Sequence, residues 1–386
     1  MITRISFLLI LFFFAANFCN AQTFSIKGRV VDAANGLSLP KATVYINNST
    51  RVLLADDSGY FKFTLLPVGT YEIIISYVGY KTILQQVKLT NADHNGLFQL
   101  NLKQTELRGV LILSNSTRQK YMNLLRKNLL GYTYDAGKCI IKNPGAVQFV
   151  QGKFKDDILV YAEEPLEIEN PVLGYTIFFN VVEVYFNTVT SASYFFGYTR
   201  FTDWIEREGF NKKWIRNRLN VYLGSSMHFF RSLVQKNLQR QGFMVQKIAA
   251  GLTPLTENRI SIQPNGTDAT VSNMRFSGGT IMKPLPEDSI IRSIEENNYQ
   301  QFELLLQPQV YIKYNRNTEL KLQLSKVMPT EGQPENTTIT GLRLKKAPIL
   351  VDYRGILLTP MNVYFDGIWA YERLANMLPE DYKPEK

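Results

Sequence analysis

Residues 57–71 read DSGYFKFTLLPVGTY, an alternating run with a turn signal at each end. Apolar Phe61, Phe63 and Leu65 alternate with polar or amphipathic residues, so they are expected to share one face of a strand. A Ser-Gly pair precedes the run and Pro-Val-Gly follows it, and both are typical of turns. This stretch therefore predicts a β-strand with one buried face between two tight turns.

The same alternation continues on both sides of this stretch. Turn signals such as Asn35-Gly36 and Val78-Gly79 separate the runs. Short strands at this spacing are typical of a two-sheet β-sandwich, and about 80 residues bury enough apolar surface to fold as one domain. The pattern predicts seven strands, near residues 24–31, 41–47, 51–55, 60–65, 71–78, 82–89 and 97–103.

Four motifs in this region resemble a known module. Their order and spacing resemble the carboxypeptidase regulatory-like domain, whose fold is similar to transthyretin and which is common at the N-termini of exported Bacteroidetes proteins. The resemblance covers residues 24–104 and implies a docking or spacer module. In the carboxypeptidases this module accompanies a separate zinc peptidase domain and is not itself catalytic. The motifs are residues 26–32 (IKGRVVD), 39–44 (LPKATV), 57–61 (DSGYF) and 66–71 (LPVGTY).

The N-terminus has the pattern of a secretory signal peptide. Arg4 precedes an apolar run over residues 5–16, which is shorter than the roughly 20 residues of a membrane span. Cys19 and Ala21 are small residues at positions −3 and −1 of a cleavage site, so Gln22 is expected to begin the mature chain, and residues 1–21 to be removed.

Cys19 offers an alternative, because a lipoprotein signal also ends at a cysteine. Phe18 stands where such signals prefer a small residue, which argues against lipidation. Either pattern predicts export. We expect the protein in the periplasm or in association with the outer membrane.

Composition limits the chemistry of this 386-residue chain. Its 45% hydrophobic and 20% charged residues are ordinary for a globular protein and argue against disorder. Two cysteines and two histidines exclude a disulfide scaffold and a Cys/His metal cluster, and Cys139 is expected to be a buried, unreactive thiol. The net charge of +10 is thinly spread, unlike the footprint of a nucleic-acid-binding protein. We expect no cofactor, no metal and no nucleic acid; the expected partner is an envelope protein, a glycan or a membrane surface.

Residues 105–386 predict a larger, β-rich α+β domain with a few helices, so the whole chain is expected to be mainly β. One helix is predicted at about 117–130, capped by Ser116 and ended by Gly131. A second helix runs from Ser226 to Gly242 on its apolar spacing, and residues 251–288 predict a loop. The strand-like runs are residues 107–113, 149–154, 158–162, 175–186, 190–198, 243–248, 259–262, 309–314, 320–324, 349–353 and 363–365.

Motifs of this second half resemble the C-terminal region shared by many Bacteroidetes envelope proteins. The resemblance implies one intact unit and names no activity. The motifs are residues 164–170 (EPLEIEN), 173–175 (LGY), 222–230 (YLGSSMHFF), 367–370 (GIWA) and 378–382 (LPEDY).

Histidine chemistry has little support. A zinc carboxypeptidase needs converging ligands, and His94 and His228 form no His-Glu-x-x-His motif. Ser225 and His228 are three positions apart, which fits a helix N-cap as well as a nucleophile–base pair. A buried, hydrogen-bonded His228 is the simpler interpretation.

Acidic pairs provide the alternative function, a hydrolase acting on peptidoglycan, glycan or peptide. Two carboxylates about 5–9 Å apart can serve as general acid and base. Asp203 and Glu206 are the candidates, and a charged surface explains them equally well. Further acidic residues of the same kind are Glu163, Glu164, Glu167, Glu169 and Glu208.

A basic, aromatic segment provides the candidate binding site. Aromatic rings with flanking cations bind glycans, lipid headgroups or anionic polymers. A solvated helix or hairpin with buried tryptophans is the alternative. The candidates are Trp204, Lys212, Lys213, Trp214, Arg216 and Arg218. Together these patterns predict a non-catalytic envelope protein, in which the sandwich docks or positions a C-terminal binding or structural domain.

Overall fold

The computed structural model describes residues 23–103, 109–133, 135–190, 192–247, 284–296, 299–306, 309–315 and 338–384. The predicted signal peptide, Cys19 and the Ala21–Gln22 cleavage site lie outside these residues. So do the predicted strands at 259–262 and 320–324 and most of the predicted loop. In the described part, no helix is long and apolar enough to cross a membrane.

The chain divides into two compact units. The first holds the described residues of 23–44 and 53–103 together with Tyr299. The second holds Tyr45–Val52 and the remaining described residues beyond 104. No sequence signal indicated that Tyr45–Val52 groups with the second unit.

Seven strands arranged in two sheets confirm the N-terminal β-sandwich. One sheet has the order β4-β1-β7, with β1 and β7 parallel, and the other has the order β3-β2-β5-β6. Ile26, Val44 and Ile73 are among the side chains buried completely in its core. The strands are β1 (Thr23–Asp32), β2 (Thr43–Ile46), β3 (Val52–Leu54), β4 (Tyr60–Pro67), β5 (Gly69–Ser76), β6 (Ile83–Leu89) and β7 (His94–Leu100).

Strand β4 departs from the predicted alternation at Leu65. Phe61 and Phe63 are buried as predicted, but Leu65 is 74% exposed and Leu66 is buried instead. Leu65 has a left-handed φ of 57°. It lies where the register between β1 and β4 shifts, so β4 carries a bulge that moves the following side chains by one position.

Beyond residue 109 the described chain contains six helices and thirteen strands. The helices are α1 (Asn115–Leu130), α2 (Trp204–Glu208), α3 (Lys212–Tyr222), α4 (Ser226–Val234), α5 (Leu238–Gln241) and α6 (Ile368–Tyr371). The strands are β8 (Ile140–Ile141), β9 (Val147–Gln151), β10 (Asp157–Ala162), β11 (Leu166–Asn170), β12 (Tyr175–Asn187), β13 (Ser193–Asp203), β14 (Phe243–Lys247), β15 (Ile291–Glu296), β16 (Tyr299–Leu304), β17 (Gln309–Tyr314), β18 (Thr338–Leu344), β19 (Leu350–Asp352) and β20 (Val363–Gly367).

Strand β12 organises the six-stranded sheet of the second unit. β13 pairs along one edge of β12, while β11 and β10 pair with the two halves of the opposite edge. Two further sheets have the orders β14-β17-β18-β20 and β15-β16-β19. The mainly β class is confirmed, but β8, β11, β15, β16 and β18 were not predicted. Each is short, contains Gly, or carries several charged or amide side chains. The predicted run at 107–113 was wrong as a strand, since its described residues make only a bridge between Val110 and Val150.

Helix α1 begins two residues earlier than predicted. Ser114, not Ser116, is the N-cap, and its side chain accepts a hydrogen bond from the Thr117 N–H. Gly131 ends the helix as predicted, with a φ of 111°. The predicted Tyr121 and Leu124 are only partly buried, and the buried stripe consists of Met122, Leu125, Asn128, Leu129 and Leu130.

The predicted single helix from Ser226 to Gly242 is two helices, α4 and α5. Lys236 between them has a left-handed φ of 52°, which an α-helix does not accommodate. Its ammonium group lies 2.7 Å from the Asp288 carboxylate. Gly242 ends α5 in the left-handed conformation, as expected for a helix C-terminus.

Candidate functional site

A cleft of about 340 Å³ in the second unit contains both acidic candidates, Asp203 and Glu206. Its walls come from the Tyr45–Val52 segment, β12, α2, α3 and the C-terminal segment. We call it the acidic cleft. The residues lining it are Thr50, Tyr175, Asp203, Ile205, Glu206, Ile215, Arg218, Pro379, Asp381, Tyr382 and Lys383.

Asp203 is held by a helix terminus and by a cation. It is the N-cap of α2, where its Oδ1 accepts a hydrogen bond of 2.9 Å from the Ile205 N–H. Arg218 donates from Nη1 to Oδ2 at 2.8 Å and from Nη2 to Oδ1 at 2.7 Å. Both oxygens of the carboxylate therefore accept charge-assisted hydrogen bonds from Arg218.

Arg218 itself is buried and fully engaged. It donates to the carbonyl oxygens of Leu173 and Gly174 at 2.7 and 2.9 Å, and its guanidinium lies 3.8 Å from the centre of the Tyr175 ring. Burial raises the pKa of the Tyr175 phenol well above its ordinary value, although the Arg218 cation opposes this shift. The sequence grouped Arg218 with solvent-facing cations. The structure separates it from the other cations of that segment, because α3 turns this side chain into the protein, where it lines the acidic cleft.

The remaining carboxylates of the cleft differ in their bonding. Asp381 accepts from the Thr50 hydroxyl at 2.6 Å and from the Thr50 N–H at 3.1 Å. Glu206 is an exposed residue in the first turn of α2. Proton transfer at Asp203 would weaken its charge-assisted pair with Arg218, so the cleft is poorly arranged for an acid–base pair of Asp203 and Glu206.

His228 is buried and hydrogen-bonded through both ring nitrogens. Nδ1 accepts from the Gly224 N–H at 3.0 Å, and Nε2 lies 3.2 Å from the Gln241 amide oxygen. The Ser225 hydroxyl accepts from the His228 backbone N–H and donates to the Tyr222 carbonyl oxygen, so Ser225 is the N-cap of α4. The Ser225 hydroxyl therefore bonds to backbone groups and does not face the imidazole as a nucleophile would.

The two tryptophans of the basic segment are held in place by hydrogen bonds to other parts of the second unit. The Trp204 indole donates to Thr176 at 2.8 Å, and the buried Trp214 donates to the Pro171 carbonyl oxygen at 3.0 Å. Their rings meet edge to face, with centroids 5.6 Å apart. Gly174 allows the Trp214 ring to lie directly against the backbone, because a Cβ there would lie 2.3 Å from that ring.

Three candidate cations remain exposed on α3. We call Lys212, Lys213 and Arg216 the α3 basic face. The side chains lie in the first two turns of the helix, which Asn211 caps by accepting from two backbone N–H groups. Cations at a helix N-terminus gain nothing from the helix dipole, so the fold alone does not favour this arrangement.

The other acidic candidates lie apart from the cleft. Glu169 pairs with Lys142 at 3.4 Å, Glu164 accepts from Asn143, and Glu208 pairs with Arg207. Glu163 and Glu167 do not line the cleft either. Within the described ranges, no three histidine, cysteine or acidic side chains group closely enough to hold a metal ion.

Sequence reasoning missed several residues of the acidic cleft. Thr50 and Lys383 carried no recognisable signal, and Asp381 and Tyr382 appeared only inside the LPEDY motif. The adjacent acidic and aromatic side chains of that motif are the one sequence signal that could have indicated the cleft. Pairing with Thr50 could not be expected, since the two residues are 331 positions apart.

The family match covers the N-terminal part of the chain. Residues 26–112 match the CarboxypepD_reg-like domain, which confirms the resemblance drawn from residues 24–104. No curated protein matches the chain.

Several solved structures match a small part of this chain. The major pilin subunit BcpA of Bacillus cereus is 18% identical over 21% of this chain and 31% of its own, with a TM-score of 0.20. The pilus 2b backbone protein of group B streptococcus is 19% identical over 20% and 41%, with a TM-score of 0.19. The 3-chlorocatechol 1,2-dioxygenase of Rhodococcus opacus 1CP is 11% identical over 22% and 62%, also with a TM-score of 0.19. This chain spans less than two thirds of each, and the likeness is too distant to identify a function.

Proposed function

We propose that this chain, whose residues 26–112 form a CarboxypepD_reg-like domain, is a non-catalytic protein of the cell envelope. The β-sandwich docks or spaces the second unit, and the second unit binds an anionic glycan or lipid surface through the α3 basic face. The signal-peptide pattern supports export to the periplasm or the outer membrane. The family match is compatible with a docking or structural module.

One observation carries the non-catalytic part of the proposal. The carboxylate of Asp203, the best-placed acid of the acidic cleft, has both oxygens bonded to Arg218. A general base takes a proton from the substrate, and a proton on either oxygen of Asp203 would weaken this charge-assisted pair. The cleft therefore supports structure and binding better than proton transfer.

The binding part is tested by removing the α3 basic face. Isolated peptidoglycan and anionic phosphatidylglycerol vesicles are sedimented with the protein, and the bound fraction is measured. Replacing Lys212, Lys213 and Arg216 together with Ala should weaken binding at least about 10-fold, because each cation near an anionic surface contributes about 1 kcal/mol.

A matched control removes the same charge elsewhere. Lys120, Lys155 and Lys346 are exposed and lie on other elements, and changing all three to Ala should leave binding within about 2-fold. Equal loss in both triple variants, or no binding by the wild-type protein to either surface, would contradict the proposal.

A hydrolase remains the second candidate, because Asp203, Glu206 and Asp381 line one cleft. It predicts turnover of a peptidoglycan fragment, glycan or peptide. Glu206→Gln should abolish that turnover, whereas Glu208→Gln, a matched change outside the cleft lining, should retain it. Such a result would replace the non-catalytic proposal, and absence of turnover in the wild type would leave it standing.

A further inference from the structure

One buried hydroxyl group of the acidic cleft has no partner. Tyr175 lines the cleft and is only 1% exposed, because its ring packs against the Arg218 guanidinium and, with centroids 5.7 Å apart, against the Phe201 ring. In the described part of the chain, its hydroxyl makes no hydrogen bond. Burial raises the pKa of this phenol, and Asp203 and Asp381, which also line the cleft, raise it further. The hydroxyl therefore faces the cleft, where a polar ligand atom would satisfy it.

Two carboxylates of the cleft can accept further hydrogen bonds. Among the described residues, the exposed Glu206 forms no hydrogen bond or ion pair. Within the same ranges, Asp381 accepts only from Thr50, whose N–H and hydroxyl hold the carboxylate in place. A carboxylate has about four acceptor positions, so Asp381 keeps room for another donor. The third carboxylate, Asp203, is already paired with Arg218.

The lining of the cleft carries a net negative charge. Three carboxylates and two cations line it, and the Arg218 cation is offset by Asp203 at 2.7 Å. Lys383 is the other cation, and it cannot offset both Glu206 and Asp381. One added positive charge is therefore favoured in the cleft, and an added anion is not.

We propose that the acidic cleft binds a primary ammonium group carried on a short apolar chain. An ammonium has three N–H donors and no acceptor, which suits the acceptors of Glu206, Asp381 and Tyr175. The volume of about 340 Å³ lies at the lower end of ligand pockets, so the ligand is a small amine or a single lysine side chain. The inference stands on the cleft and does not rest on the proposed function. The apolar residues that line the cleft around the carbon chain are Ile205, Ile215 and Pro379.

The test uses the full chain and n-pentylamine as the probe. The alcohol 1-pentanol and the anion pentanoate are neutral and negative probes of similar length. Dissociation constants are measured by NMR titration of the protein amides. We expect saturable pentylamine binding in the millimolar range and at least about 10-fold weaker binding of the other two probes, because both lack the charge that the carboxylates attract. Added salt should weaken pentylamine binding.

Two variants locate the binding. Tyr175→Phe removes only the unpartnered hydroxyl, so it should leave the urea midpoint unchanged and weaken pentylamine binding about 5-fold. Glu206→Gln removes a charge without breaking a described bond and should weaken binding at least about 10-fold. The matched control Glu208→Gln lies on the same helix, pairs with Arg207 and does not line the cleft. It should change binding by less than about 2-fold.

Two capped peptides separate the sources of the ammonium group. Acetyl-Gly-Lys-Gly-amide carries it as a lysine side chain, and the same peptide with norleucine in place of lysine lacks it. Binding of the lysine peptide as tightly as pentylamine would indicate a lysine of a polypeptide as the ligand. Binding of pentylamine alone would indicate a small amine. Both results support an ammonium site.

Three results would overturn the proposal. Equal affinities for pentylamine and pentanol would mean that the cleft recognises only the apolar chain. Pentylamine binding that is unchanged in both Tyr175→Phe and Glu206→Gln would place the amine elsewhere. No saturable binding of pentylamine or of the lysine peptide would mean that the cleft is not an ammonium site. Each of these results leaves the sedimentation test of the α3 basic face unaffected.

Discussion

Arg218 illustrates how a single buried cation organises one wall of the acidic cleft. It joins the end of β13 to the turn before β12, through Asp203 on one side and the Leu173 and Gly174 carbonyl oxygens on the other. Guanidinium geometry matters here, since its planar fork makes two parallel bonds to one carboxylate while its remaining N–H groups reach the backbone. A point charge of the same sign cannot satisfy all of these acceptors.

Arg218→Lys should therefore destabilise the second unit by about 3 kcal/mol, because it breaks a buried, bidentate pair. Arg216→Lys, an identical change at an exposed position of the same helix, should change stability by less than about 0.5 kcal/mol. Urea unfolding followed by tryptophan fluorescence measures both. Equal effects of the two changes would mean that the Arg218 network contributes little.

Cys139 provides a second prediction at this scale. It is completely buried, and burial raises the pKa of its thiol to about 12. Only the thiolate reacts, so a maleimide at pH 8 should label Cys139 at least about 100-fold more slowly in the folded protein than after unfolding. The measurement uses a Cys19→Ser background, and adding Cys139→Ser should abolish labelling.

The same raised pKa fixes the direction of a pH effect. The folded state holds the thiol proton more tightly than the unfolded state, so its contribution to stability is present below about pH 8.5. It is lost as the pH rises toward about 12. Cys139→Ala should reduce the alkaline loss of stability measured by urea unfolding, and an unchanged pH profile would contradict this.

At the scale of elements, the turn at Gly224 fixes α4 against the strands. Gly224 has a φ of 78°, and a Cβ there would lie 2.5 Å from the Tyr314 ring. Its N–H donates to His228 and its carbonyl oxygen accepts from the Trp369 indole. The left-handed backbone and the close packing therefore require glycine at this position, and the two backbone hydrogen bonds hold the turn in place.

Gly224→Ala should destabilise the protein by about 2 to 4 kcal/mol, combining backbone strain with overpacking. Gly209→Ala separates these effects, since Gly209 has a φ of 84° and no atom within 4 Å of the added Cβ. It should cost about 1 kcal/mol, from strain alone. Thermal unfolding compares the two, and similar losses would mean that the Tyr314 ring moves aside freely.

At the scale of the whole molecule, the C-terminal LPEDY motif ties distant parts of the second unit together. The Glu380 N–H donates to the Asn48 carbonyl oxygen at 2.6 Å. Arg231 of α4 donates to the carbonyl oxygens of Glu380 and Tyr382, both at 2.8 Å. With the bonds from Thr50 to Asp381, the motif joins the Tyr45–Val52 segment, α4 and the C-terminal segment.

A double-mutant cycle tests this link. Thr50→Val and Asp381→Asn should show a coupling energy of about 0.5 to 1 kcal/mol in urea unfolding, since the hydrogen bonds between them are partly exposed to solvent. Thr50→Val combined with Asp288→Asn provides the control, because Asp288 pairs with Lys236 instead. Coupling no larger than in the control would mean that Thr50 and Asp381 act independently.

The features predicted correctly from sequence were those set by local rules. The seven strands of the sandwich followed from side-chain alternation and turn residues, and Gly131 and Gly242 ended helices because a left-handed residue suits that position. The bulge at Leu65 and the break at Lys236 escaped prediction, since each depends on one backbone conformation that the residue type does not favour.

Tertiary structure decided the candidate sites. Arg218 lies in a run of cations, and its spacing does not separate it from Arg216. Its burial depends on acceptors that the fold brings close, namely Asp203 and the carbonyl oxygens of Leu173 and Gly174. Thr50 meets Asp381 across 331 positions, a separation that no local sequence pattern indicates. Alternation and turn chemistry act between near neighbours, whereas burial, ion pairing and strand edges depend on which distant segments the fold brings into contact.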